Sequence, residues 1–334
     1  MRFSAGYQAN EFFKASLMRL KGSIAEIYFP WLNFSSGRGA ITDISPQRKM
    51  ELDLAEFSAA GFKMNLLLNG NCYGARSQAR GFFKSIGDTV EYLKGEFGLS
   101  SVTTASPLIA KFLKSNFPEI EVRASVNMEI GSTEAVEYVQ NLFDAFYLKR
   151  ECNFDFEKLS DMRARCLSIG KKMYILANSG CLNFCSARTF HDNLVAHQHE
   201  AAEMDNAYDF KGVCQDYLSQ ESAKASILCR SNFIRPEDVC LYEDLCDGMK
   251  LATRVNPNPS AIAEAYCAGN FSGNLLDITE PSHSGIFYPT VIANNLIPAD
   301  FGERRLRCDM RCKDCGYCGA VLKTASINLE KRKE

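Results

Sequence analysis

The sequence predicts an α/β fold: a (β/α)8 TIM-like barrel with a cysteine-containing insertion before the last strand and a small Cys-rich C-terminal tail. Short runs of β-forming residues alternate with stretches whose apolar residues recur every three or four positions, as in strands separated by amphipathic helices. Eight such runs occur, and eight is the strand number of a closed parallel barrel. An open doubly wound sheet would show the same alternation and is the alternative.

The predicted strands and helices divide the chain into a barrel and an extension. The barrel occupies residues 1–255, and its helical pattern is clearest at 47–60, 132–142 and 156–169. After a turn-rich break at 256–259 comes a C-terminal extension, 256–334, with a short helix at 261–268 and an otherwise irregular tail. We expect a chain that ends near Asp300 to stay folded. The eight predicted strands are 2–7, 25–31, 63–69, 101–105, 121–126, 144–149, 172–177 and 249–254.

One break in the alternation points to function. Between the seventh and eighth strands, residues 178–248 hold three of the four histidines and six of the cysteines. Long insertions between barrel elements are usually functional. This one leaves the C-terminal end of a strand, which is the face where barrel enzymes build their active sites.

Composition gives no support for a general attraction to nucleic acid or to a membrane. The formal net charge is −2, so no strongly basic field favours nucleic acid or an anionic membrane surface. The first residues lack the long apolar core of a signal peptide, and no apolar run approaches the roughly 20 residues of a spanning helix. We therefore expect a cytoplasmic protein without a membrane partner.

The 14 cysteines are too many and too clustered to be only core residues. A disulfide framework is unexpected, because the cytosol keeps thiols reduced. Single cysteines in helix-like or loop segments fit the role of small buried hydrophobes. That interpretation covers Cys152, Cys166, Cys214, Cys240, Cys246 and Cys267.

The four cysteines of the tail, Cys308, Cys312, Cys315 and Cys318, predict a metal site. Four thiolates within so short a polar segment suit zinc or an iron–sulfur cluster. Structural zinc usually joins two Cys-x2-Cys pairs across a longer spacer, whereas a compressed run resembles iron–sulfur ligands. The sequence favours a cluster, with zinc as the alternative.

A second cysteine group begins where the seventh strand should end. Cys181 and Cys185 are four residues apart, and Cys229 precedes the final β/α unit, so all three could reach the barrel mouth. Cys72 follows the third strand on the same face and is the candidate fourth ligand, with Cys214 or a non-cysteine ligand as alternatives. This group predicts a second cluster.

Histidines follow this cysteine pair. His191 lies nearest to it and is the candidate acid or base, whereas His197 and His199 also fit an exposed polar helix face. Neither a Ser/His/Asp order nor a His-Glu-x-x-His segment is present, so hydrolysis has no support from motifs.

Four segments resemble the U32 peptidase family, which is also called collagenase-like. An Arg-Glu pair, Arg150-Glu151, follows the sixth strand, and 178–185 resembles the family's Gly-x-Cys-x3-Cys segment. Residues 233–238 resemble its "serine-or-proline, x, Asp-Leu" segment, and 249–254 its Lys-Ile-x-Gly-Arg strand. Ser179 stands where the family usually has Arg, and the tail cysteines lie outside its core pattern.

The resemblance implies a β/α barrel with a 4Fe–4S cluster held by cysteines. Family members support oxygen-independent hydroxylation of RNA bases or of the ubiquinone ring, and others are called collagenases. For this chain, the resemblance implies an Fe–S-dependent hydroxylase or related group-transfer enzyme acting on a small molecule or a nucleic-acid base. Arg150, Glu151 and His191 are then the catalytic candidates, and Asn69, Lys250 and Arg254 the substrate-binding ones.

Other interpretations stay open. The arginines could instead pair with strand-end carboxylates such as Glu151. The protein could be a peptidase, as the family name states. It could also be a non-catalytic Fe–S partner or maturation protein, working with a second U32-type protein.

Overall fold

The computed structural model describes residues 1–330 and contains a closed barrel of eight parallel strands. Neighbouring strands pair in chain order, and β1 closes the barrel against β8 through the register Phe3↔Met249. The predicted barrel is confirmed at all eight positions, and the open sheet is excluded. The strands are β1 Phe3–Gly6, β2 Ile24–Phe29, β3 Lys63–Leu68, β4 Leu99–Thr104, β5 Glu121–Ala124, β6 Ala145–Tyr147, β7 Lys172–Leu176 and β8 Gly248–Leu251.

Helices connect the strands and cover the barrel, which buries the apolar outer face of each strand. In the helix Arg80–Phe97, for example, Phe82, Ile86, Val90 and Leu93 recur at helical spacing and are all buried. None of the described helices is long and apolar enough to cross a membrane. The helices are α1 Glu11–Arg19, α2 Ile44–Ala59, α3 Arg80–Phe97, α4 Pro107–Asn116, α5 Thr133–Val139, α6 Phe156–Ser168, α7 Arg188–Ala196, α8 Gln198–Ala202, α9 Val213–Leu218, α10 Glu221–Lys224, α11 Ile227–Arg230, α12 Pro259–Ala268, α13 Ser284–Phe287, α14 Phe301–Leu306, α15 Cys312–Cys315 and α16 Tyr317–Ala325.

The insertion between β7 and β8 consists of short helices, α7 to α11, joined by loops. A 3-10 helix, Pro236–Tyr242, then leads into β8. In it Asp238 accepts two hydrogen bonds from Arg235, each 2.8 Å, and Arg235 also donates to the Pro298 carbonyl. The buried Arg235–Asp238 ion pair therefore connects the end of the insertion to the C-terminal extension.

The prediction that the tail is irregular is wrong for most of the extension. Strands β9, Thr290–Ile292, and β10, Ser326–Asn328, form a second, antiparallel sheet. Phe301, Leu322 and Ala325 are buried in the main apolar core, so the extension packs against the barrel wall. A chain that ends near Asp300 would expose that core, and the expectation that it stays folded loses its basis. The last four residues of the predicted extension lie outside the described part of the chain.

The two ends of the barrel differ in character. The amino ends of the strands surround a cavity of about 230 Å³, lined by charged groups that include Glu26 and Arg123. Arg123 and Glu26 form a buried ion pair of 2.7 Å there. Parallel barrels carry their chemistry at the opposite, carboxyl end, so we assign the larger cavity to stability and the smaller one at the mouth to function.

Candidate active site at the barrel mouth

The carboxyl ends of the strands, here called the mouth, surround a cavity of about 60 Å³. Lys250 lies on β8 and Asn69 directly follows β3, whereas Arg150 and Arg254 each lie three residues after the ends of β6 and β8. All four line the cavity, so the structure brings the predicted substrate-binding residues and Arg150 together. Because each comes from a strand end, the barrel backbone holds their relative positions.

Lys250 is the most unusual group at the mouth. Its ammonium lies 3.9 Å from the ring centre of Tyr28 and 5.5 Å from that of Tyr147. None of the ion pairs among residues 1–330 includes it. Loss of hydration in the barrel interior, together with Arg254, lowers the pKa of Lys250 to about 7. Lys250 can therefore bind an anion or exchange a proton near neutral pH.

Two further charged groups at the mouth were not predicted. Arg38 and Glu280 both line the cavity, and Arg38 lies 3.3 Å from the Glu280 carboxylate. Burial raises the pKa of Glu280 in spite of this arginine. Arg254 donates to the Ser36 hydroxyl at 3.0 Å rather than to a carboxylate. Four cations thus converge on a cavity whose lining includes one carboxylate.

Arg150 and Glu151 of the predicted Arg-Glu pair do not form an ion pair with each other. Arg150 lies 3.3 Å from Glu129, and Glu151 lies 2.7 Å from Arg188. Glu151 also accepts from the backbone amide of Phe184, whose φ of 56° is in the left-handed region. Arg188 is the main reason that the pKa of Glu151 is lowered against the effect of burial. Glu151 therefore holds the cysteine loop, and its contacts are those of a positioning residue.

The loop of Cys181 and Cys185 is fixed tightly to β8 and the extension. Asn178 accepts from the Ala252 amide at 2.7 Å and donates to the Ile278 carbonyl. Gly180 donates to the Glu280 carbonyl, and a Cβ there would lie 2.1 Å from the Pro281 oxygen, so only glycine fits. The loop that carries both cysteines is thus paired with Glu280, which lines the mouth, although neither cysteine lines the cavity itself.

Cys214, rather than Cys229, approaches this pair. The charges of Cys181 and Cys185 act on the Cys214 thiol, whose pKa is raised mainly by burial. Cys229 instead is hydrogen-bonded to Cys312 of the tail, and Cys318 acts on it electrostatically. Across residues 1–330, no group of three or more His, Cys, Asp or Glu side chains already has the arrangement that holds a single metal ion.

Cys72 lies in a different environment from the one predicted. Its thiol is hydrogen-bonded to His197 and accepts from the Gly74 amide at 3.3 Å. Nδ1 of His197 lies 2.7 Å from Glu200. The His197 bond is the main cause that lowers the pKa of Cys72, and the same bond raises the pKa of His197. No local sequence motif predicts this Cys–His–Glu set, because Cys72 lies about 125 residues before the segment that carries both His197 and Glu200.

The other predicted histidines and the single cysteines differ in how far they are buried. His191 stacks edge-on against Phe210 and lines a groove of about 530 Å³ on the insertion, and burial lowers its pKa. His199 lies 3.3 Å from Glu203 on an exposed face. The expected core role is confirmed for Cys152, Cys166 and Cys246 but is wrong for Cys240, which is exposed.

Comparison with known proteins agrees with the barrel fold. A protein from Methanocaldococcus jannaschii named "Uncharacterized protease MJ1657" is 25% identical over 316 residues, which is 92% of this chain and 90% of that protein. The solved U32 peptidase Mk0906 has a TM-score of 0.55 and 16% identity, covering 75% of this chain and 91% of that one. No family model matches the sequence.

The fold and the mouth define the class as a (β/α)8 barrel protein with a polar, cationic site at the carboxyl ends of its strands. Within that class, the whole-length relative and the solved barrel both support the U32 peptidase family. The resemblance predicted from the sequence is confirmed.

Proposed function

We propose that this chain is an enzyme whose substrate binds at the barrel mouth through an anionic group. The observation that carries the proposal is the convergence of Arg38, Arg150, Lys250 and Arg254 on one small cavity. Arginine forks suit carboxylates and phosphates, and an anion is the simplest way to compensate several adjacent cations. A cavity of about 60 Å³ admits one such group or a small ring rather than a folded macromolecule.

The reaction class is inferred from the free thiols of the loop that pairs with Glu280 and of the insertion. Cys181, Cys185 and Cys214 are free, and the guanidinium of Arg188 lies within electrostatic reach of Cys181. Thiolates beside a cation fit an iron–sulfur cluster in their donor chemistry, although only three are found together. Such a cluster, when bound, would supply one-electron chemistry, as expected for an oxygen-independent hydroxylase or related group-transfer enzyme.

The chain's own residues have distinct roles in this proposal. Arg150 and Arg254 bind and orient the anionic group, and Asn69 donates or accepts a hydrogen bond at the cavity wall. Lys250 Nζ binds the anion when protonated and can move a proton when the pH is near its pKa of about 7. The substrate is a small molecule or an exposed RNA base. The net charge of −2 provides no general attraction to RNA.

Anion binding is tested with sulfate, because its charge is constant between pH 5 and 9. The Arg254→Gln variant should bind sulfate about 10- to 100-fold more weakly in isothermal titration calorimetry, since a hydrogen bond to a charged group contributes about 1.5–3 kcal/mol. The Arg19→Gln variant is the control, because Arg19 pairs with Glu264 on the outside of the barrel. Equal affinity in the two variants would contradict the assignment.

The mouth thiols give a second prediction. With one cluster at the mouth and one in the tail, the double variant Cys181→Ser/Cys185→Ser should lose about half of the iron of the anaerobically purified protein. The Cys240→Ser variant should keep all of it, because that cysteine is exposed and lines neither the mouth nor the cavity of the tail cysteines. Unchanged iron in the double variant would rule out a cluster at this loop.

A thiol hydrolase is the second candidate function, and the Cys72–His197–Glu200 set favours it. Cysteine nucleophiles are activated by an adjacent imidazole, which a third group orients. The relative named as a protease agrees with this candidate. In this case the Cys72 thiolate would attack the substrate carbonyl, and His197 would take and return the proton.

The reactivity of Cys72 tests this set. Because the bond to His197 lowers the Cys72 pKa, the His197→Ala variant should slow its alkylation by iodoacetamide at pH 7 about tenfold. The rate in wild-type protein should fall as the pH is lowered, since protonation removes the thiolate. The His199→Ala variant should react like wild type, as His199 contacts Glu203 instead. A rate that is independent of His197 would exclude an activated thiol.

A further inference from the structure

The cysteine-rich tail and the insertion share a small cavity of about 40 Å³. It is lined by the four tail cysteines and by Cys229, which lies on α11. The thiols of Cys229 and Cys312 are hydrogen-bonded, and Cys318 acts electrostatically on Cys229. Five thiols from two distant parts of the chain therefore face one space.

The backbone of the tail folds three of these cysteines around the cavity. Cys312 and Cys315 are the ends of the one-turn helix α15, and Cys318 lies in the first turn of α16. Gly316 joins the two helices with a φ of 64°, a value that favours glycine. The spacing Cys-x2-Cys-x2-Cys is that of bacterial ferredoxins, in which a cysteine elsewhere in the chain completes the cluster.

A buried cation without a carboxylate lies beside the same cavity. Arg305 is 1% exposed, and its side chain donates only to the carbonyls of Cys229 and Ser231, both at 3.3 Å. Its Nε is buried without a partner, and none of the ion pairs in the described part of the chain includes it. The charge of Arg305 acts on the thiols of both Cys229 and Cys318.

An unpaired buried guanidinium is costly unless a negative charge compensates it. A cubane cluster with four thiolate ligands carries a net charge of −2 in its oxidised form, which would provide that compensation. Each iron takes one thiolate, so the sulfurs need not converge on a single point, in agreement with the absence of a mononuclear site in residues 1–330.

We propose that Cys229, Cys312, Cys315 and Cys318 ligate an iron–sulfur cluster, with Arg305 as its buried counter-cation. The cluster links the insertion to the extension, because Cys229 lies on α11 and the other ligands on α15 and α16. Cys308 lines the cavity without being a ligand. The proposal shares no residue with the mouth and is independent of the function proposed there.

Differential alkylation of the full chain tests the ligand set. The protein is purified without oxygen, loaded with iron and sulfide, and treated with iodoacetamide before and after chelation. Mass spectrometry should find Cys229, Cys312, Cys315 and Cys318 protected in the loaded protein and alkylated after chelation. Cys308 and the exposed Cys240 should react in both states. Protection of Cys308 in place of Cys229, or zinc instead of iron at this site, would overturn the proposal.

Single substitutions distinguish the cysteines that ligate the cluster from one that only lines the cavity, and they test the role of Arg305. Cys229→Ser should lower iron per chain by as much as Cys312→Ser, whereas Cys308→Ser should leave it unchanged. Arg305→Met should lower the midpoint potential of the tail cluster, because loss of a nearby cation disfavours the more negative reduced state. Arg305→Lys should keep the potential nearer to that of wild type. Equal potentials in the Met and Lys variants would show that Arg305 has no electrostatic role.

Discussion

Replacement of Lys250 by methionine should weaken sulfate binding at pH 6 by about 10- to 100-fold, the loss of one hydrogen-bonded charge in a partly buried site. In wild-type protein the affinity should fall as the pH rises from 6 to 8. The pKa of Lys250 is lowered to about 7, so its ammonium is the main form below that pH and the neutral amine above it. The Lys250→Met variant should show little of this pH dependence.

Other groups could titrate in the same range, so their contributions must be separated. The charged groups that act on Lys250 are Arg254, Glu26, Arg38 and Arg150. Arginine side chains are always charged in this range, so the other titratable groups to consider are Glu280 at the same cavity, whose pKa is raised, and His191 on the insertion, whose pKa is lowered. The His191→Gln variant should therefore retain the wild-type pH profile. A pH profile that persists in Lys250→Met would assign the titration to another group.

The same lysine links pH to stability. Its pKa in the folded protein, about 7, lies below the ordinary value of 10.5. Between these values the unfolded chain binds the additional proton, so the free energy of unfolding should rise with pH across this window. Lys250→Met should remove that rise. Chemical unfolding at pH 7 and pH 9 measures the difference.

Replacement of Arg123 by methionine should lower the free energy of unfolding by about 3–5 kcal/mol, because it leaves the carboxylate of Glu26 buried without a cation. Glu26 is 4% exposed, and the variant would remove its 2.7 Å ion pair with Arg123. The carboxylate would still accept the 2.9 Å hydrogen bond from Asn65. Urea unfolding measures the change.

The double variant Arg123→Met/Glu26→Leu is the matched control for this pair. It removes both charges and should recover most of the lost stability, as replacement of buried ion pairs by apolar groups often does. A loss below about 1 kcal/mol in Arg123→Met would show that the pair is well hydrated.

The barrel was predictable from sequence because its strands are short buried runs between amphipathic helices. The sheet of β9 and β10 was not, because it depends on distant contacts rather than on a local pattern. Asn274, for example, accepts from the Ile292 amide, and the ring of Phe301 packs under Arg235. Neither partner is apparent in the spacing of the tail residues.

The candidate site also combines residues that a local sequence pattern predicts with residues that only distant contacts place there. Lys250 and Arg254 could be predicted because polar residues at the end of a barrel strand face the mouth. Arg38 reaches the mouth through the Ser36–Gly39 turn, and Glu280 through its backbone pairing with Ser179, so neither follows from a strand position. Cys229 was assigned to the mouth by its place in the chain, but α11 directs it to the tail.

The central claim is that the mouth binds an anion through Arg150, Lys250 and Arg254. The most direct test is a crystal structure of the anaerobically purified protein soaked in selenate, with anomalous differences measured at the selenium edge. The account predicts a selenium peak in the 60 Å³ cavity, within hydrogen-bonding distance of Lys250 Nζ and at least one of the two arginines. An empty mouth at saturating selenate, with Lys250 turned toward Glu26, would contradict it.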